Sequence, residues 1–147
     1  MREIKFRIPH FDNDTKAFAY FSYWGRIDHK GNPSKDCFTS PATSNRTFAG
    51  DDQQFTGLLD KNGKDIYEGD IVKKEISKQH SYQGYGIYFV EFKAPEFGLT
   101  VISYSDSLLE FFGPNKIFDS KYCRIWQIDE LEVIGNIHES PELLNQK

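Results

Sequence analysis

The chain has 147 residues, a net charge of −4 and a pI near 5.5, which gives no support to nucleic-acid binding through a broad basic surface. Its length suits one domain with a core of its own, and an aromatic content of 16% excludes a disordered chain. Cys37 and Cys123 belong to no CxxC pair, which fits a reducing cytosol better than a disulfide scaffold.

The N-terminal MREIKFRIPH alternates charged and apolar side chains, unlike a signal peptide. No run approaches the roughly eighteen apolar residues of a membrane-spanning helix, so a soluble intracellular protein is expected. Residues 2–8 read as a half-buried strand, with Ile4, Phe6 and Ile8 on one face and Glu3, Lys5 and Arg7 on the other. Pro9 is expected to limit its pairing, and Asp12-Asn13-Asp14 to turn the chain into a second strand, KAFAYFSYW at 16–24. From Gly25 to Asp52 no apolar period survives, which predicts a long loop or arm.

Short strands then resume at Phe55–Leu59, Asp65–Tyr67 and Ile71–Ile76, joined by a hairpin turn at Asp60–Gly63 and a bend at Glu68-Gly69-Asp70. Further strands are predicted at Tyr85–Phe92, Gly98–Tyr104 and Glu130–Ile137. Ser107 to Glu110 has capping-box spacing, with Gly113-Pro114 as its stop, and Ser140-Pro141-Glu142 reads as the start of a short terminal helix. The fold expected is mainly β: a small antiparallel Src-homology-like barrel or half-open sheet, an N-terminal hairpin and one or two short helices. As a single domain it divides into the hairpin (1–24), a loop or arm (25–54), a β core (55–137) and a short helix or tail (138–147).

Little in the sequence carries catalytic chemistry. A calcium loop counted from Asp60 would place Lys64 at the fifth position, Asp65 at the glycine position and Ile71 at the glutamate position, so a structural turn is the better reading. His10, His29, His80 and His138 lack the close spacing of metal sites; His10 with Asp12 and Asp14 could gather on a metal, but surface residues flanking a turn explain them better. Neither cysteine has a histidine base placed beside it by the sequence. Gly84-Tyr85-Gly86 precedes a strand, the wrong order for a dinucleotide loop. One mixture does fit a ligand: Lys73, Lys74 and Lys78 beside Tyr82, Tyr85 and Tyr88, lysines for phosphates and rings for bases. Core packing explains those rings as well.

MREIKF, FTGLLDKNGKDIYEGDIV and LEVIGNIHESPELL resemble, in that order, three signatures of the YopX family, small proteins of phages and prophages in Gram-positive bacteria. After MREIKFR, where Ala-Trp-Asp is common in the family, Ile8-Pro9-His10 stands here. The resemblance implies a probable fold and the cytoplasm of a bacterial host, and it carries no established activity. The signature residues have structural readings: Gly57, Gly63, Gly69 and Gly135 for backbone shape, Ile66, Ile71, Val72, Val133 and Ile134 for core, Asp60 and Asp70 for bonding turn amides. The function expected is a non-catalytic accessory module that needs no cofactor and binds a host or phage macromolecule. Single-stranded nucleic-acid binding is the alternative; an acidic decoy or an unrecognised enzyme ranks lower. Exposed edges and many aromatics also predict a homo-oligomer.

Overall fold

Antiparallel strands make up most of the fold, as the short alternating runs predict. A computed structural model of the chain describes residues 4–24, 46–76, 83–94, 96–113, 122–125 and 130–145. The expectations for His29, Cys37, Lys78, His80 and Tyr82 fall outside the described residues. Two compact units divide the chain, Met1–Gly57 and Leu58–Lys147, where the sequence reading takes 1–147 as one domain.

In the first unit, β1 (Phe6–Asp12) and β2 (Phe18–Trp24) form the expected N-terminal hairpin. Asp12 shapes its turn: Oδ1 accepts the backbone N–H of Asp14 at 2.9 Å and of Thr15 at 2.8 Å. Contrary to expectation, β1 continues through Pro9. A residue's N and O point to the same side of a strand, and the Pro9 carbonyl accepts Gly50 N–H at 2.8 Å. The missing proline N–H therefore lies on the side where two different strands meet β1. These are β3 (Thr47–Ala49), paired with His10–Asp12, and β4 (Gln53–Leu59), paired with Phe6 and Arg7. Pro9 sits between them, where the ladder is interrupted in any case. β3 also corrects the reading of 25–52 as a loop throughout: three residues are too few to show a period of two.

β4 leaves the first unit at Gly57 and turns through Asp60–Lys64 into β5 (Asp65–Tyr67). In the second unit, β6 (Asp70–Ile76), β7 (Gly84–Lys93), β8 (Glu96–Tyr104) and β9 (Tyr122–Arg124) are successive antiparallel neighbours. β10 (Leu131–Asn136) returns beside β6, and the sheet, in the order β10-β6-β7-β8-β9, curls into a half-barrel. β9, which the sequence reading misses, is as short as β3. The core gathers Ile66, Val72, Tyr88, Val90, Phe97, Leu99, Ile125 and Leu131, the alternate positions that period-two patterning selects.

A short helix, α1 (Asp106–Phe112), follows β8 and buries Leu108. Its N-cap is Ser105, so the capping box expected at Ser107 does not form. Both hydroxyls reach across to the β7 end instead: Ser105 Oγ accepts Tyr85 N–H at 3.1 Å and Ser107 Oγ donates to the Gln83 carbonyl at 2.7 Å. Gly113 ends the helix as expected, its N–H on the Leu109 carbonyl. The C-terminal signature closes in a 3-10 turn, Pro141–Asn145. Gly135 lies under it without a positive φ; a Cβ there would strike Ser140 and Leu143, so close approach is what this glycine permits.

The bend at Glu68-Gly69-Asp70 forms as predicted, with Gly69 at φ 84°. Gly69 N–H donates to the Val90 carbonyl at 2.9 Å, and its own carbonyl accepts Ile137 N–H at 3.0 Å. A side chain at this φ meets the clash that glycine escapes. Gly69→Val is expected to cost on the order of 1–3 kcal/mol and to lower the melting temperature measured by circular dichroism. A variant that melts with the parent would contradict this reading of the bend.

Candidate functional site

The central signature, residues 55–72, is built around two carboxylates. Asp60 is 6% exposed. Its Oδ1 accepts Asn62 N–H at 2.8 Å and Lys64 N–H at 2.9 Å, and its Oδ2 accepts Val133 N–H at 3.1 Å. Lys61 N–H donates to the Leu131 carbonyl at 2.8 Å, so the turn is attached to β10 at two points. Asp70, 1% exposed, accepts Tyr67 N–H at 2.8 Å and fixes the second bend. Ile66, Ile71 and Val72 are fully buried beside them. Gly57 and Gly63 take φ of 88° and 81°. Asp60, Asp70 and the glycines of this stretch shape its backbone.

Burial pushes the Asp60 carboxyl up, but the amides of Lys64, Val133 and Asn62 outweigh it and hold its pKa below the usual carboxylate range. A depressed folded pKa stabilises above the unfolded value, about 3.9 for aspartate, and that contribution is lost as pH falls through the folded value. Asp60→Asn is therefore expected to lose on the order of 1–3 kcal/mol at neutral pH, the range for buried donors left unsatisfied. It should also flatten the acid limb of a melting temperature–pH profile. A parallel shift at every pH would show that the charge of Asp60 is not what the amides hold.

Of the residues expected to meet nucleic acid, Lys73, Lys74, Tyr85 and Tyr88 are described. Tyr88, 6% exposed, is a core residue edge-on to Tyr104, which removes it from any base-stacking surface. Tyr85 is 39% exposed, with Lys73 Nζ 4.7 Å from its ring centroid. Lys73 also pairs with Glu75 at 3.2 Å, and Lys74 lies 3.9 Å from Glu130. Lys61 and Glu132 pair at 2.6 Å on the neighbouring strand. Carboxylates that sequence reading did not weigh thus accompany these lysines on the surface. Cross-strand register, which pairs Lys73 with Glu132, brings one of them there.

The first unit holds a feature the sequence reading did not single out. Five rings run across β3, β1 and β2 as neighbours: Phe48–Phe11 at 5.4 Å between centroids, Phe11–Phe18 at 6.3 Å, Phe18–Phe21 at 4.8 Å and Phe21–Tyr23 at 6.5 Å. A register shift at His10/Phe11 pairs Phe11 with Phe18 and makes the row continuous. Arg7 lies 4.2 Å from the Phe21 centroid and Lys16 Nζ 5.1 Å from that of Phe48. Tyr23 and Phe48 remain 45% and 40% exposed. The available signal was the aromatic density of 16–24 with Phe11, and Phe48 as an apolar residue of the polar 25–52 arm, expected to pack on a neighbouring copy; the bulge and the pairing of Phe48 with Phe11 were not legible.

Two expectations are corrected on the same strands. Arg7, assigned to a solvated face, is buried: Phe21 covers its guanidinium and Nε donates to Gln53 Oε1 at 2.8 Å. His10, read as a surface residue, is 2% exposed, stacked on Tyr20 at 4.6 Å and bonded through Nε2 to Ser22 Oγ at 2.8 Å. Among the described residues its Nδ1 has no hydrogen-bond partner. Among the described residues no three His, Cys, Asp or Glu side chains gather to hold a metal, and no helix is long and apolar enough to cross a membrane.

Comparisons with known proteins find a solved structure and a family pattern. The crystal structure of protein EF1440 from Enterococcus faecalis is similar at 25% identity over 97% of this chain and 98% of its own, with a TM-score of 0.43. No curated protein matches. The family pattern described as YopX protein matches residues 5–145, nearly the whole chain, with the central and C-terminal signatures inside it and the two turns that Asp60 and Asp70 hold. This chain therefore belongs to the YopX family.

Proposed function

We propose that this chain is a non-catalytic accessory module of a phage or prophage, acting in the cytoplasm of a bacterial host. It binds a macromolecular partner through the aromatic face of its first unit. The observation that supports this is the row Phe48–Phe11–Phe18–Phe21–Tyr23, whose two end rings stay substantially exposed. Aromatic side chains are enriched at the anchoring centres of protein interfaces, where they bury large area at little entropic cost. A protein partner with an apolar anchor fits such a face. The single-stranded nucleic-acid alternative is supported by Lys73 over the exposed Tyr85, and the burial of Tyr88 weakens it.

Tyr23→Ser combined with Phe48→Ser is expected to keep the parent's circular dichroism and melting temperature. The same variant should lose stoichiometric capture of a protein from host lysate that the parent retains. Capture unchanged by the double variant would move the interface elsewhere. Oligonucleotide binding that falls steeply with salt and is lost in Lys73→Glu would select the alternative instead. Turnover in a hydrolase and nuclease screen, abolished by one point mutation, would overturn the non-catalytic reading.

A further inference from the structure

Asn62 is the one asparagine of the sequence that precedes a glycine. Deamidation begins when the backbone nitrogen of the following residue attacks the asparagine Cγ, and a Cβ on that residue hinders the approach. Glycine has none. The fold leaves the site open as well: both residues are exposed, and a Cβ built on Gly63 would find nothing within 4 Å. What restrains the nitrogen is a hydrogen bond, Gly63 N–H to the Asp60 carbonyl at 3.0 Å. We infer that Asn62-Gly63 is a site of spontaneous modification, gated by that hydrogen bond, whose product undoes the Asp60 turn.

When the hairpin tip opens, the Gly63 nitrogen gives its proton to hydroxide and bonds to Asn62 Cγ. The bond from Cγ to the side-chain nitrogen breaks, and ammonia leaves after taking a proton from water. A five-membered imide remains. Water opens it at either carbonyl, giving aspartate or isoaspartate at position 62, with no oxidant or reductant required. Both products place a carboxylate near that of Asp60, where an amide stood. Isoaspartate also inserts a methylene into the backbone, so Asn62 N–H and Lys64 N–H lose the spacing that lets both reach Asp60 Oδ1. Asn136 is the internal contrast. Its side chain is buried, accepts His138 N–H and Glu139 N–H, donates to Glu139 Oε2, and precedes the branched Ile137.

The test ages the full-length chain in mildly alkaline buffer, folded and in urea, and maps it by mass spectrometry with isoaspartyl-methyltransferase labelling. Isoaspartate is expected at position 62 and not at 136 in the folded protein, forming faster in urea. The melting temperature should fall as the modified fraction rises. Asn62→Gln, whose cyclisation needs a larger ring, should keep its fresh melting temperature after the same treatment. No isoaspartate at 62 in either condition would overturn the site. Equal rates with and without urea would overturn the gating, and a modified chain that melts like the fresh one would overturn the link to Asp60.

Discussion

The three amides that Asp60 accepts come from two places in the chain. Asn62 and Lys64 belong to its own turn, and Val133 lies 73 residues later in β10. A buried carboxylate is tolerated only where donors replace its water, and here the replacement joins a local turn to a distant strand. Bringing such separated segments together has an entropic cost that grows slowly with the length between them. Gathering three donors on one group, with Lys61 N–H on the Leu131 carbonyl next to them, concentrates the compensation at a single point. Much of the geometry of the second unit follows from it.

The same logic accounts for the order of the family signatures. Ile137 N–H donates to the Gly69 carbonyl and Lys61 N–H to the Leu131 carbonyl, while the Asp60 carboxylate accepts Val133 N–H, so the central and C-terminal signatures are joined at three points. Between those attachments β6 lies beside β10, with Val72 opposite Val133 and Asp70 opposite Asn136. A motif dense in glycine and aspartate is what this arrangement needs: glycine for φ near 84° at the bend, aspartate because its short side chain reaches amides two to four residues away. Asn136 repeats the device, its Oδ1 accepting His138 and Glu139 amides at the exit of β10.

Legibility in the sequence followed locality. The Asp12 turn, the Asp60 hairpin, the Gly69 bend and the Gly113 stop were readable because each is decided by residues within about one turn of one another. The longer strands of the second unit, β6, β7, β8 and β10, were readable because their apolar residues alternate. Arg7 and His10 were misread for the opposite reason. Their burial depends on Phe21, Gln53, Tyr20 and Ser22, supplied by other strands in a register that no local pattern encodes. Ser107 was misread because a hydroxyl with two available partners chose the Gln83 carbonyl over the helix end. β3 and β9 are too short to display a period, and Tyr88 alternated inward where its neighbours in sequence looked like a surface patch.

The aromatic row presents a different balance from the second unit's core. In that core Val72, Val90 and Leu99 are fully buried, and their apolar surface is withdrawn from water. On the first unit's sheet the rings touch in sequence, yet Tyr23 and Phe48 keep 45% and 40% of their surface in solvent. Roughly 25 cal/mol for each Å² of apolar area is left ungained wherever a ring stays wet. A three-residue strand contributes Phe48, and Gly50 brings the chain so close that a Cβ there would collide with Phe11. The backbone is thus drawn tightly against Phe11, while only the two end rings of the row stay exposed. The exposure of those end rings is the physical ground for proposing that the row binds a partner.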